Sequence, residues 1–170
     1  VNKTFKHTWG SEYCTDNLAA YDFMYTNIWE EPFEINEATT QLPVHFTFKP
    51  LMARIKISLG LGANETPKKV ILETDSNVLP TSGTIDAQEN FTASSVTNSI
   101  AVPTNRKEFV VGLLPVGIYS TMTVKVMTTD GLTYSDKSFT LAGLKRNHHY
   151  TMSVPCNKKT VTITRSEEHT

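Results

Sequence analysis

The sequence predicts an all-β fold, an antiparallel β-sandwich, and three observations carry that expectation. Two alternating apolar runs meet at a Lys-Pro joint between Leu42 and Leu59. A long alternation from Ile118 to Thr128 is followed by the turn dipeptide Asp130-Gly131 and a returning strand, Leu132 to Phe139. No window sustains an amphipathic helical period over three turns. Many short strand signals with Gly, Pro and Asn punctuation between them fit a sandwich better than a bundle or a parallel α/β sheet.

Taken in chain order, Glu12 to Leu18 suits at most one short turn of helix, and Tyr21, Phe23 and Tyr25 alternate like the core face of a strand. Asn27 to Gln41, with Glu30, Glu31, Pro32, Glu34 and Glu37, reads as an acidic connection. Val44, Phe46 and Phe48 then share one face of a strand, and Ala53, Ile55, Ile57 and Leu59 share one face of the next, with Arg54 and Lys56 turned to water. Pro50 cannot donate to a ladder and so belongs at the joint. Lys69 to Thr74 and Asn98 to Val102 are short β-branched runs, whereas residues 75 to 107 as a whole are polar enough to read mostly as loop. Glu108 to Leu114 is a continuous apolar run closed by Pro115. In the hairpin, Ile118, Met122, Val124 and Val126 fall on one face and Thr121, Thr123 and Lys125 on the other. The chain closes with His149 to Val154, where Tyr150, Met152 and Val154 share a face, and with Thr160-Val161-Thr162-Ile163-Thr164.

Several of these segments resemble the fimbrillin-like proteins of Bacteroidales, the major and accessory subunits of their surface pili. Phe46 to Ile57 is similar to that family's Phe-x-Phe-Lys-His-x-Leu-Ala-Lys-Ile-x-Val-x-Ile stretch, departing from it at Pro50, where the family usually carries His. Tyr21-Asp22-Phe23-Met24-Tyr25 is similar to its Asp-apolar-apolar-Tyr strand. Phe139-Thr140-Leu141-Ala142-Gly143 followed by Tyr150-Thr151-Met152-Ser153-Val154 is similar to its closing element. The resemblance implies a transthyretin-like, Greek-key sandwich and a subunit of a surface pilus, exported to the outer-membrane surface, whose partners are other subunits. It also implies polymerisation by strand exchange, in which a terminal strand of one subunit fills a groove in the next. The expected organisation is one β-sandwich domain over residues 1–155, with 156–170 forming a C-terminal strand or the start of a further segment.

Composition sets bounds of its own. Sixteen Lys plus Arg against 17 Asp plus Glu give a net charge of −1, which offers no field for steering nucleic acid or an anionic membrane. No apolar run approaches the roughly 20 residues of a spanning helix. Cys14 and Cys156 are the two cysteines, and their placement permits either one bridge closing almost the whole chain or two separate buried thiols. Neither lies in a metal-ligand spacing.

The search for chemistry returns little, and an enzyme, a cofactor or a metal is not expected. There is no Gly-x-Ser-x-Gly elbow, His-Glu-x-x-His helix or Walker loop. Gly60 and Gly62 lack the third glycine of a phosphate cradle and read as a turn. Asp75-Ser76-Asn77 lacks the glycine and distal Glu of a calcium loop, and the His148-His149 pair after Lys145-Arg146-Asn147 reads as a solvated turn. The matches Asn2-Lys3-Thr4, Asn64-Glu65-Thr66 and Asn90-Phe91-Thr92 to the N-glycosylation pattern matter only in a eukaryotic secreted protein.

One asymmetry stands out: eight of the sixteen aromatics lie within the first 33 residues, Trp9 and Trp29 among them. They cover the sandwich mouth, or else form an exposed platform that stacks on sugar rings, which is the alternative reading of a surface carbohydrate-binding module. The expected connector is the last segment, Thr160, Val161, Thr162, Ile163 and Thr164, which alternates without proline and suits either a cis strand or a donor to a neighbour. A host or microbial surface ligand is a further expected partner.

Overall fold

The computed structural model describes residues 3–6, 24–26, 48–86, 88–117, 121–139, 143–157 and 159–161. Among them there is no helix, and thirteen strands follow one another: β1 (Lys3–Lys6), β2 (Met24–Thr26), β3 (Phe48–Pro50), β4 (Ala53–Leu59), β5 (Pro67–Thr74), β6 (Leu79–Ile85), β7 (Phe91–Thr97), β8 (Ser99–Pro103), β9 (Glu108–Leu113), β10 (Met122–Thr128), β11 (Leu132–Phe139), β12 (His149–Val154) and β13 (Lys159–Val161).

Two sheets form the body: a five-stranded one in the order β13-β11-β10-β5-β8 and a three-stranded one in the order β12-β4-β9. Their inner faces share one apolar core. Ile55 and Ile57 of β4, Val111 of β9, Val70 and Leu72 of β5, Val102 of β8 and Val124 and Val126 of β10 are completely covered, with Met152 and Val154 of β12 close to it. This is the period-two alternation of the sequence converted into burial, each such side chain contributing about 1.5–3 kcal/mol. On the outer face of β4, Lys56 is exposed and reaches Glu108 of β9 at 3.4 Å, and Arg54 is partly exposed. The chain turns from β3 into β4 after Pro50, with Leu51 and Met52 both buried at the joint.

The hairpin lies where the turn dipeptide places it. β10 and β11 pair from Met127↔Thr133 to Met122↔Phe139, Gly131 takes φ +85, and the Thr128 hydroxyl caps the turn on Asp130 and Leu132. Tyr134, almost fully buried, donates its hydroxyl to Glu65, whose other oxygen accepts the Gly62 amide at 2.7 Å. Lys107 Nζ donates to the Gly62 carbonyl at 2.5 Å. The glycine pair is therefore a cross-braced turn, and the oxygens that face it come from the chain itself.

Three features depart from the sequence reading. The stretch from 75 to 107 is mostly strand: β6 and β7 join β1 in a sheet of order β1-β6-β7, and β8 follows directly. β6 and β7 carry little apolar signal because β7 is exposed along Thr92 to Val96, and Pro80 and Gly83 interrupt β6. Pro80 is tolerated because the β6–β7 ladder shifts register between Pro80 and Ser82. Secondly, β12 runs parallel to β4, from His149↔Arg54 to Val154↔Leu59, while β9 pairs with β4 antiparallel. Among the described residues, every strand pair is antiparallel except this one. Thirdly, Phe48 is 58% exposed and not core-facing, because β3 pairs with β2 in a separate two-stranded ribbon on which Met24 is also exposed.

Candidate functional site

Two places in this frame can carry function. The first is the β11 edge of the five-stranded sheet. Leu132, Thr133 and Tyr134 pair with Val161, Thr160 and Lys159 of β13. The ladder runs antiparallel, so Val161 stands opposite Leu132, the first residue of β11, and no position of β11 is left beyond it. In the other direction, residues 135 to 139 of β11 have no strand partner on that edge among the described residues. Of the expected connector, Thr160 and Val161 are therefore on the sheet edge. Thr162, Ile163 and Thr164 lie outside the described residues.

The second is a cleft of about 620 Å3 where β3, the β6–β7 turn, the segment after β9 and the 144–148 turn converge. The β6–β7 turn is locked by Asp86. Its Oδ1 accepts the Asn90 amide at 2.7 Å, its Oδ2 accepts Asn90 Nδ2 at 3.1 Å, and the Glu89 amide donates to the Asp86 carbonyl at 3.1 Å. The Asn90 amide bond is the main reason that the Asp86 carboxyl is held below its ordinary pKa. Glu89 takes φ +66 in this turn, a left-handed conformation that a non-glycine residue adopts at some cost.

That conformation accompanies a clamp: Glu89 Oε1 accepts Lys49 Nζ and Oε2 accepts an Arg146 Nη2 hydrogen, each at 2.6 Å. The Glu89 side chain is only 14% exposed, against 42% for Lys49 and 34% for Arg146. One carboxylate thus joins three chain segments, and charge-assisted bonds of this length are stronger than neutral ones. Val116 and Leu144 exchange both backbone hydrogen bonds at 3.0 Å across the cleft floor, and Pro50, Phe91 and Pro115 supply apolar wall. Lys145 and His148 stand on the rim. His148 Nδ1 lies 2.8 Å from the Arg146 carbonyl, and its ring stacks on Tyr150 with centroids 6.4 Å apart.

Sequence reasoning did not bring this cleft together. Glu89 is 40 residues from Lys49 and 57 from Arg146, and nothing local to any of them marks a partner. Arg146 and Asn147 form a turn, with Asn147 at φ +56, and His148 follows it exposed, but His149 is the first residue of β12 and Arg146 leans into the clamp. Trp9, Trp29 and Cys14 lie outside the described residues. Cys156 is buried, with its Sγ 3.5 Å from the Val154 carbonyl. Asp75, Ser76 and Asn77 form an exposed turn, in which the Ser76 carbonyl accepts the Thr74 hydroxyl at 2.7 Å. Among the described residues no group of three or more His, Cys, Asp or Glu is placed to hold a metal ion, and no helix is long and apolar enough to cross a membrane.

The fold is shared with solved structures. A candidate cell adhesion protein from Bacteroides ovatus ATCC 8483 superposes with a TM-score of 0.57 at 20% identity, over 97% of this chain and 58% of that one. A candidate cell adhesion protein from Bacteroides uniformis ATCC 8492 superposes with a TM-score of 0.51 at 14% identity, over 69% of this chain and 50% of that one. The chain thus spans between half and three-fifths of the length of these two proteins. At these identities the likeness speaks for the fold alone. No curated protein matches the sequence. The Fimbrillin-like family model, however, matches residues 1–167, nearly the whole chain, and the chain belongs to the fimbrillin-like family.

Proposed function

We propose that this chain is a structural or accessory subunit of a bacterial surface pilus, exported to the outer-membrane surface, that assembles with other subunits by strand exchange and supports adhesion. Family membership and the two adhesion-related neighbours support the coarse assignment to a pilus or adhesion subunit. The reading of strand exchange leans on one observation: the β11–β13 ladder. Among the described residues, β13 pairs with three of the eight residues of β11, Leu132 to Tyr134. A segment that alternates Val161 and Ile163 with threonine and pairs along a sheet edge is suited to pairing on a neighbouring subunit as well. The five-residue edge at 135–139 is suited to accepting such a strand. A strand edge without a partner is in general an aggregation liability. The role is assembly, and no catalytic step is assigned to it.

The test replaces Val161 and Ile163 together with Asp and follows subunit addition by electron microscopy and size-exclusion chromatography. Each apolar side chain contributes roughly 1.5–3 kcal/mol when seated in a groove, so the pair should lose most of the interaction. The β10–β11 hairpin should remain folded by circular dichroism. Polymers forming at the wild-type rate from the double variant would remove residues 160–164 as the connector.

A further inference from the structure

We propose that the cleft at Glu89 is a binding site for a carboxylate-bearing sugar, of the uronic or sialic acid class. The proposal goes beyond subunit assembly and does not depend on it. Charge comes first. Three cationic side chains, Lys49, Lys145 and Arg146, line the cleft against the one carboxylate of Glu89, on a chain whose overall balance is slightly acidic. Both Glu89 oxygens are engaged by Lys49 and Arg146, so the cavity presents net positive charge, with Lys145 fully on its exposed rim. A guanidinium offers planar donors suited to a carboxylate, and a second acid entering here shares cations already held in place.

The form of the ligand follows from the backbone. Val116 and Leu144 satisfy each other, the Asn147 amide donates to the Met52 carbonyl at 3.0 Å, and the Lys145 amide donates to the Tyr150 hydroxyl at 2.9 Å. An extended peptide would find these amides already engaged, so recognition falls to side chains and favours a small ligand over a strand. The volume of about 620 Å3 lies within the roughly 300–1,000 Å3 range of small-molecule sites and accommodates a sugar residue or two. Phe91 and Pro115, both partly exposed, give apolar surface for the C–H face of a ring, and the exposed side-chain amide of Asn147 suits its hydroxyls.

The experiment titrates the folded chain with D-glucuronic acid and N-acetylneuraminic acid, and with D-glucose and N-acetylglucosamine as neutral counterparts, followed by amide chemical-shift mapping. Both acids, or one of them, should saturate and shift Asn90, Gly117, Leu144 and His148, with the neutral sugars at least about tenfold weaker. Arg146→Gln should weaken the acid about tenfold, and Lys145→Gln, outside the Glu89 clamp, should weaken it by less while leaving the fold untouched. Glu89→Gln should tighten binding, because it removes the competing carboxylate. Shifts mapping elsewhere, equal response to acidic and neutral sugars, no saturation by either acid up to about 10 mM, or a tetraglutamate peptide binding the cleft while the sugars stay silent would each overturn the proposal.

Discussion

Gly83 in the middle of β6 provides a sharp test of the sheet that the sequence conceals. A Cβ built there would lie 2.4 Å from Phe91 Cζ, 2.5 Å from its Cε2 and 2.5 Å from the carbonyl oxygen of Thr92. Ordinary carbon contacts begin near 3.5 Å, so Gly83→Ala requires a shift of roughly 1 Å in both the ring and the neighbouring strand. Phe91 pairs with Ile85 and reaches Gly83 on the diagonal, using the absent side chain as a seat for its ring. The ring can rotate away, but the Thr92 oxygen belongs to the β7 backbone and moves only with the ladder. Overpacking of this kind costs about 1–3 kcal/mol. At about 2–4 °C per kcal/mol for a chain of this size, Gly83→Ala should lower the melting temperature by about 2–12 °C, read by circular dichroism. A double-mutant cycle with Phe91→Ala should show coupling, with only partial recovery, since the ring contact is relieved and the carbonyl contact is not. A melting curve for Gly83→Ala superimposable on wild type, or a strictly additive cycle, would refute the packing of Phe91 over Gly83.

Two further outcomes are expected. If Cys14 and Cys156 form a bridge, protein folded under oxidising conditions should have a mass two hydrogens below the reduced chain and lose as much as ~4–5 kcal/mol on reduction; thiol labelling of both residues in the oxidised protein would exclude it. The Asp86 carboxyl, lowered by its bonds to Asn90, contributes stability to the β6–β7 turn that is present above its unfolded pKa and lost as pH falls through the folded one. Its carbon resonance should therefore titrate with a midpoint below 3.8, and hydrogen-exchange protection of the Asn90 amide should fall in the same acid window; a midpoint at or above 3.8 would contradict the turn geometry.

Where a strand faces the core on one side and water on the other, its sequence announced it. β4, β10 and β12 alternate, and Ile55, Ile57, Val124 and Met152 are buried as that alternation requires. The Asp130-Gly131 turn was equally legible, since a φ of +85 calls for glycine. β7 was not, because an edge strand exposed along most of its length needs no apolar period, and Phe91 to Thr97 therefore reads as loop. Phe48 misled in the opposite direction: it alternates in sequence with Val44 and Phe46, which lie outside the described residues, but on the ribbon of β2 and β3 it is itself exposed. The clamp at Glu89 escaped for a different reason. Ion pairs between residues 40 and 57 positions apart are set by topology, and single-sequence patterns hold only near-neighbour information. The register of β13 was half legible, since its threonine alternation marks a strand but says nothing of which edge receives it.

The parallel pairing of β4 with β12 governs how the molecule comes into being. Arg54 meets His149 about 95 residues later, so the central strand of the smaller sheet waits for nearly the whole described chain before one of its two neighbours exists. Contacts of such long range are formed late and slowly, because the loop entropy has to be overcome before any pairing offsets it. During that interval β4, with Ile55 and Ile57 on one face, is an apolar strand lacking a ladder on one side, the kind of surface that other chains pair with. A chain cut anywhere before His149 stays in that state permanently. Truncated products should therefore aggregate and not persist as shorter, folded monomers.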